Sequence, residues 1–379
     1  MNKYTQDGVN VPVGDAFSAF AGQVCRGSYK NSEYVTVVDL SKGHFRGPRG
    51  YLLTGLPNYI NTAAADGQGT KGIIIDAAGR HIDAGADIIA MTAEDISRWG
   101  GLALVIYNLL DTATLGKDTQ SETYESFQRL MLGLGDSAKE QNIVLMGGET
   151  AELGVCVGSE NPNALTKYNW AAFAIGVYDK HRMISGDTLK AGQVVIALRD
   201  YCRCNGFSSI RKALAMHYGE KWYENPDALY DVIEAAWPSK LYHRFLAAMN
   251  GWYERDFRPI VKMHLIVHVT GGSIRSKFAE DLLFPMGLSA RLDSLWDPPD
   301  IIRKCRVWRG MSEEEAYETW NCGQGALVVV DPEDAGLFIE LAARSNIAAK
   351  KAGEITNETL PSLIIVSKFT DTEIEFRPR

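Results

Sequence analysis

Five short stretches of this chain bring carboxylates, glycines and hydroxyl or basic residues together at spacings suited to phosphate chemistry. The sharpest is Asp66-Gly67-Gln68-Gly69-Thr70-Lys71, which follows the small-residue run Thr62 to Ala65. Gly67 and Gly69 let backbone N–H groups approach a polyphosphate, Thr70 can donate a hydrogen bond, and Lys71 supplies positive charge. Asp66 can hold Mg²⁺ that bridges phosphate oxygens. The spacing is not that of the GxxxxGK[ST] phosphate loop. Since glycine solves turn geometry in general, a plain turn is the structural alternative.

Glu94-Asp95 is the second stretch. It sits in a helical pattern whose apolar residues Ile88, Ile89, Met91 and Ile96 press one face onto a core. Paired carboxylates that converge with Asp66 make a site for a hard cation; otherwise they are a solvated acidic face. The third, Gly147-Gly148-Glu149-Thr150-Ala151-Glu152, follows the strand pattern Ile143 to Met146 and is read as a strand-to-loop turn. Strand ends followed by glycines are where α/β proteins place ligands, so Glu149 is a metal or substrate residue or the turn is purely structural.

The last two stretches lie in the second half. Asn205-Gly206-Phe207-Ser208 precedes a basic helix with Ile210-Arg211-Lys212, which suits an anion at a helix start. His268-Val269-Thr270-Gly271-Gly272-Ser273 places glycines after a strand, with His268 and Thr270 on one side by strand alternation. A histidine at a strand end is also a common structural residue, and the glycines bring backbone donors close to it.

The elements that must position these stretches alternate in type. Leu104 to Tyr107, Ile143 to Met146, Trp170 to Val177, Val194 to Leu198, Leu265 to Val269 and Leu327 to Val330 read as strands from their Val/Ile content and turn-residue borders. Ser121 to Gln141 reads as a helix with one buried face, as do Ala86 to Trp99 and Asp334 to Arg344. This mixture gives an α/β or α+β fold. At 379 residues two domains are expected, 1–182 and 183–379, with the boundary near Asp179 to Gln193. The aromatic and charged segment Tyr218 to Pro259 is read as a helical insertion, near 218–259, in the second domain.

With 46% hydrophobic and 23% charged residues the chain can bury a real core. A net charge of -8 argues against nucleic-acid or anionic-membrane partners, while leaving room for a local basic patch on a small phosphorylated molecule. The longest apolar run, Leu102 to Leu110, is about half a membrane span. The start has no apolar signal core, and the six cysteines form no CxxC pair, so a cytoplasmic protein with reduced thiols is expected.

In their order, DGxGTK, an acidic pair on a helix, GGETAE, an NG turn and HxTGG, the five stretches resemble the aminoimidazole ribonucleotide synthetase family, the phosphoribosylformylglycinamidine cyclo-ligases. Gly8-Val9-Asn10-Val11, Gly14-Asp15-Ala16, Pro238-Ser239-Lys240-Leu241-Tyr242, Asn321-Cys322-Gly323-Gln324-Gly325 and Lys351-Ala352-Gly353-Glu354-Ile355 extend the resemblance over nearly the whole chain. It implies an N-terminal ATP-binding domain whose sheet forms a barrel in a homodimer, and a C-terminal α/β domain. It also implies ATP and Mg²⁺ acting on a small ribonucleotide. In that reaction the γ-phosphoryl group passes to an amide oxygen, an amidine nitrogen closes the imidazole ring, and phosphate departs.

The roles this implies are catalytic for Lys71, Asp95, Glu149 and His268. Nucleotide binding falls to Asp66, Gly67, Gly69, Thr70, Lys71 and Asn205. Glu149, Thr150, His268, Thr270, Gly271 and Gly272 would bind substrate, and Asp66, Glu94 and Asp95 the metal. The chain departs from the family pattern at Glu94, where Asn is usual, and at Arg203, where His is usual. Gly100-Gly101-Leu102-Ala103 and Tyr107-Asn108-Leu109 lack two of the family's carboxylates, and Leu153-Gly154 stands for the family's MPG. Lys42 to Arg49 stands where a glycine-rich segment is usual. Other ATP-using relatives, among them thiamine-monophosphate kinases and hydrogenase-maturation proteins, and a catalytically inactive nucleotide-binding relative are the alternative readings.

Overall fold

The computed structural model describes residues 11–39, 49–56, 59–270 and 274–379. Gly271, Gly272, Gly8 to Asn10 and Lys42 to Pro48 therefore lie outside the described residues. The chain divides into two compact units, Met1–Ile96 with Gly101–Lys180, and Ser97–Gly100 with His181–Arg379.

The first unit opens with helix α1 (Val11–Gly27) and the antiparallel hairpin β1 (Val35–Asp39) and β2 (Arg49–Leu53). Its main sheet has four strands in the order β3 (Ile60–Gly67), β6 (Tyr168–Tyr178), β4 (Leu102–Thr112), β5 (Val144–Glu152). Only the β4–β5 pair is parallel. Helices α2 (Lys71–Ala77), α3 (Ala84–Ser97) and α4 (Glu122–Glu140) connect them.

Helix α4 shows why the sequence folds so. Ser121 caps it by accepting from the Tyr124 N–H, Glu122 and Glu125 occupy the positive first turn, and Lys139 the last. Its three- and four-residue repeat buries Tyr124, Phe127, Leu130, Met131, Leu134 and Ala138. Phe17 of α1 meets Phe127 edge-on at 6.2 Å between ring centroids, which fixes α1 beside α4. On the sheet's other face several described residues are exposed. Ala63 and Ala65 of β3 are exposed, Phe173 of β6 is 47% exposed, and the register pairs Ala65 with Phe173 and Tyr107 with Phe173.

One strand runs longer than its sequence pattern. The glycine stretch was expected as a turn after Met146, but β5 continues to Glu152 with Gly148 opposite Asn108 and Glu149 opposite Leu109 of β4. The reason is steric and cooperative. A Cβ at Gly148 would stand 2.2 Å from the Asn108 carbonyl oxygen, so glycine lets the two backbones approach and the ladder persist.

The second unit is built on a seven-stranded sheet of order β13 (Glu373–Phe376), β12 (Leu363–Val366), β9 (Ser289–Leu292), β11 (Ala349–Thr356), β7 (Val194–Arg199), β10 (Gln324–Val330), β8 (Met263–His268). All pairs are antiparallel except β9–β12. β7, β8 and β10 pack Val194, Ile196, Leu198, Ile266 and Val328 into a core with Phe245, Leu246 and Phe338. The insertion of aromatic and charged residues folds as short pieces, including α6 (Leu229–Ala235) and α7 (His243–Met249), after the longer α5 (Phe207–Tyr218). Helix α8 (Asp300–Arg309), α9 (Glu313–Thr319) and α10 (Pro332–Arg344) complete it. Among the described residues no helix is long and apolar enough to cross a membrane.

Candidate functional site

In the first unit the stretch 66–71 joins the end of β3 to the start of α2. Asp66 and Gly67 still pair with β6, Gln68 and Gly69 make the turn, and Lys71 opens the helix. The Gly67 N–H donates to Asp66 Oδ1 at 2.6 Å, and the Gln68 N–H to the Trp170 carbonyl at 3.0 Å. Gly69 has φ of +60°, the left-handed conformation a side chain would resist. Asp66 and Thr70 are half-buried and Gly69 is exposed.

Lys71 lies elsewhere than its expected role requires. Its side chain is fully buried, and Nζ sits 2.8 Å from Asp87 Oδ1, also fully buried, on α3. Gln68 Nε2 donates to Asp87 Oδ2 at 3.3 Å, and the Tyr168 hydroxyl donates to Gln68 Oε1 at 2.8 Å. An ammonium out of water must be paired, and Asp87 compensates it there. Lys71 thus fastens the turn to α3 instead of facing an open ligand site.

The acidic pair also divides. Glu94 is 2% exposed while Asp95 is half-buried. Successive helix residues are about 100° apart around the axis. The residues from Ile88 to Ala93 are all buried, so both acids follow a helix enclosed on every side, and Asp95 is the less buried of the two. The two acids differ in exposure, and the expected trio Asp66, Glu94 and Asp95 does not form a cluster. Among the described residues no three His, Cys, Asp or Glu side chains group to hold a metal ion. Asp66 and Asp95 are each half-buried, which leaves these two as the candidate residues for a Mg²⁺ whose other ligands would be phosphate oxygens and water.

Glu149 is exposed and Thr150 half-buried on β5, both beside an opening of about 400 Å³ between that strand and α1. Asn108 sits at its base, donating from Nδ2 to the Gly147 carbonyl at 3.2 Å and accepting from Trp170 Nε1 at 3.1 Å. Neither the opening nor the wall supplied by α1 was read from the sequence, although the small residues Ser18, Ala19 and Gly22 carry a signal for it.

In the second unit His268 is 2% exposed at the end of β8. The expected alternation through Thr270 fails there. The strand stops at His268, and the Thr270 N–H donates back to the His268 carbonyl at 3.0 Å. Thr270 is buried and its hydroxyl accepts from Lys277 Nζ. Arg203, which could have contacted a phosphate, is 1% exposed. Its Nη1 lies 3.0 Å from Asp200 Oδ2, and Asp200 Oδ1 also accepts from the backbone of Tyr201 and Lys240. This node anchors the chain ahead of α5. Asn205 is half-buried, and Gly206, at φ +75°, starts that helix.

Cysteine chemistry has no footing at this site. All six cysteines are free thiols and only Cys156 is exposed. Burial pushes the Cys305 and Cys322 thiols well above their ordinary range, which keeps them protonated.

Comparisons with known proteins agree with this architecture. Residues 58–177 match the model of "AIR synthase related protein, N-terminal domain", and residues 245–366 that of "AIR synthase related protein, C-terminal domain". A phosphoribosylformylglycinamidine cyclo-ligase of Staphylococcus aureus (strain JH9) is 28% identical over 360 residues, covering 93% of this chain and 95% of its own. One from Oceanobacillus iheyensis is 27% identical over 299 residues, covering 78% and 81%. Among solved structures, thiamine-monophosphate kinase from Stenotrophomonas maltophilia K279a aligns with a TM-score of 0.58 at 12% identity, over 91% of this chain and 95% of its own. The hydrogenase maturation protein HypE in complex with ATP aligns with a TM-score of 0.53 at 12% identity, over 84% and 85%. The structural likenesses show a shared fold. Because the two family models together span more than half of its length, with one in each unit, the chain belongs to the AIR synthase related protein family.

Proposed function

We propose that this protein is a cytoplasmic, ATP-dependent cyclo-ligase that converts formylglycinamidine ribonucleotide to aminoimidazole ribonucleotide in purine biosynthesis. The observation that carries the reading is the end-to-end match to curated cyclo-ligases, over 93% of this chain and 95% of theirs. The solved relative with ATP bound supports nucleotide use, as does the half-exposed turn Asp66 to Thr70.

The amide carbon of the substrate is a poor electrophile until its oxygen is phosphorylated. The γ-phosphoryl group moves from ATP to that oxygen, releasing ADP. An amidine nitrogen then attacks the carbon, the C–O bond breaks, and inorganic phosphate leaves with the oxygen. Phosphoryl transfer asks the protein mainly for alignment and charge neutralisation. Gly67, Gly69 and Thr70 would present donors to the polyphosphate, and Asp66 and Asp95 would hold Mg²⁺. Bound Mg²⁺ supplies the positive charge that the buried Lys71 does not offer directly. Lys71 instead holds the turn in register through Asp87 and Gln68. Glu149 and Thr150 would bind the substrate; for His268 and Asn205 the substrate and nucleotide roles are those the family resemblance implies.

The test is turnover by the purified chain with ATP, Mg²⁺ and formylglycinamidine ribonucleotide, following ADP and the aminoimidazole together. The reading requires equal amounts of both. ADP without imidazole would instead support a kinase-like reaction on another acceptor, and neither product would support an inactive nucleotide-binding relative.

A further inference from the structure

The opening between α1 and β5 has a construction that goes beyond Glu149 and Thr150. Its α1 wall is formed by Asp15, Ser18, Ala19, Gly22 and Arg26, three and four residues apart and so on one helix face. Ser18 and Ala19 are exposed and small, which keeps the wall low. At Gly22 a Cβ would come within 3.3 Å of Arg26 Nη1, so the exposed guanidinium folds back along the helix over the bare glycine. On the facing strand a Cβ at Gly147 would meet nothing within 4 Å, so backbone and empty space form the floor there. Asn108, fixed between Gly147 and Trp170, keeps that floor in place.

The opening carries one guanidinium and two exposed carboxylates. Arg26 stands toward one end of the α1 wall, Asp15 eleven positions earlier toward the other, and Glu149 comes from β5. Arg presents a planar fork suited to phosphate, and a carboxylate accepts from cationic nitrogen. About 400 Å³ lies within the range of small-molecule sites. A molecule with a phosphate at one end and a cationic amidine at the other complements both walls.

We propose that the α1–β5 opening seats the ribonucleotide monophosphate, with Arg26 on its 5′-phosphate and Glu149 on its amidine. This rests on the cyclo-ligase reading for the identity of the ligand, whereas the phosphate-binding role of Arg26 can be tested apart from it. The γ-phosphate of ATP offers the same chemistry to a guanidinium, so the experiment treats the two sources separately.

Calorimetric titration of the full chain with ribose 5-phosphate, and separately with Mg·ATP, tests this in wild type, Arg26→Ala and Ser18→Trp. Arg26→Ala removes the phosphate contact and Ser18→Trp fills the space; both positions are exposed, so thermal midpoints serve as the folding control. The expected result is a loss of ribose 5-phosphate affinity of about tenfold or more in each variant, the scale of a charged hydrogen bond, with Mg·ATP affinity held within about twofold. Ribose 5-phosphate binding that is absent in wild type, or unchanged in both variants, overturns the proposal. So does a parallel fall in Mg·ATP affinity, which would assign the opening to the polyphosphate. If both variants lose ribose 5-phosphate while wild type forms no aminoimidazole, the cyclo-ligase reading fails and the ribose-phosphate site stands.

Discussion

Lys71 and Asp87 set the electrostatics of the turn that carries Asp66. Their ion pair is fully buried, with Gln68 bonded to the same carboxylate, so removing either charge would leave the other uncompensated. The sequence shows Lys71 beside the glycines, but the partner that draws it inward is sixteen positions away on another helix. Local spacing carries no information about such a pair. Asp87 could have been noticed only as an acid heading the apolar stripe of α3. Similarly, Glu94 and Asp95 look alike in sequence, and the packing around the helix buries the first more than the second. Asp95, the half-buried member, is the one we propose to hold Mg²⁺. Asp95→Asn is therefore expected to lower kcat at saturating ATP by about 10²-fold or more, the scale of losing an electrostatic transition-state contact, and to raise the Mg²⁺ requirement. The thermal midpoint should move little. Equal losses of turnover and stability would instead make Asp95 a structural residue.

At the scale of elements, the long periodic segments were legible in the sequence. Helix α4 and strands β6, β7 and β10 fall where apolar spacing put them, because each buries one face or both. The glycine stretch of β5 was not legible as strand, since glycine is disfavoured there and reads as a turn. What extends the strand is its partner, β4, whose backbone approaches too closely for any side chain at Gly148. The helix α1 went unread because its apolar positions are interspersed with small ones, the same residues that line the opening beside β5. Gly148→Ala tests this account of the element. The added methyl is expected to part β4 from β5 and destabilise the protein by about 1–3 kcal/mol, the usual cost of overpacking, measured by denaturant unfolding. Unchanged stability would mean that the close approach of the two strands is not what requires glycine.

At the scale of the whole molecule, membership of the AIR synthase related family accounts for two units that each carry one of the matched domains. The first unit's sheet has helices on one face and a half-exposed apolar face on the other, around Phe173, Ala63 and Ala65. A second copy of the chain is the occupant we propose for that face, as the family resemblance implies. Light scattering should then give twice the chain mass for wild type and the single-chain mass for Phe173→Asp; a monomeric wild type would remove the dimer. The central claim, however, is chemical: the amide oxygen of the substrate is phosphorylated before the ring closes. It is tested most directly by supplying formylglycinamidine ribonucleotide carrying ¹⁸O in that amide, with unlabelled ATP and water, and measuring the label in the inorganic phosphate. The account predicts one ¹⁸O per phosphate for each aminoimidazole formed. Unlabelled phosphate accompanying the same product would contradict it.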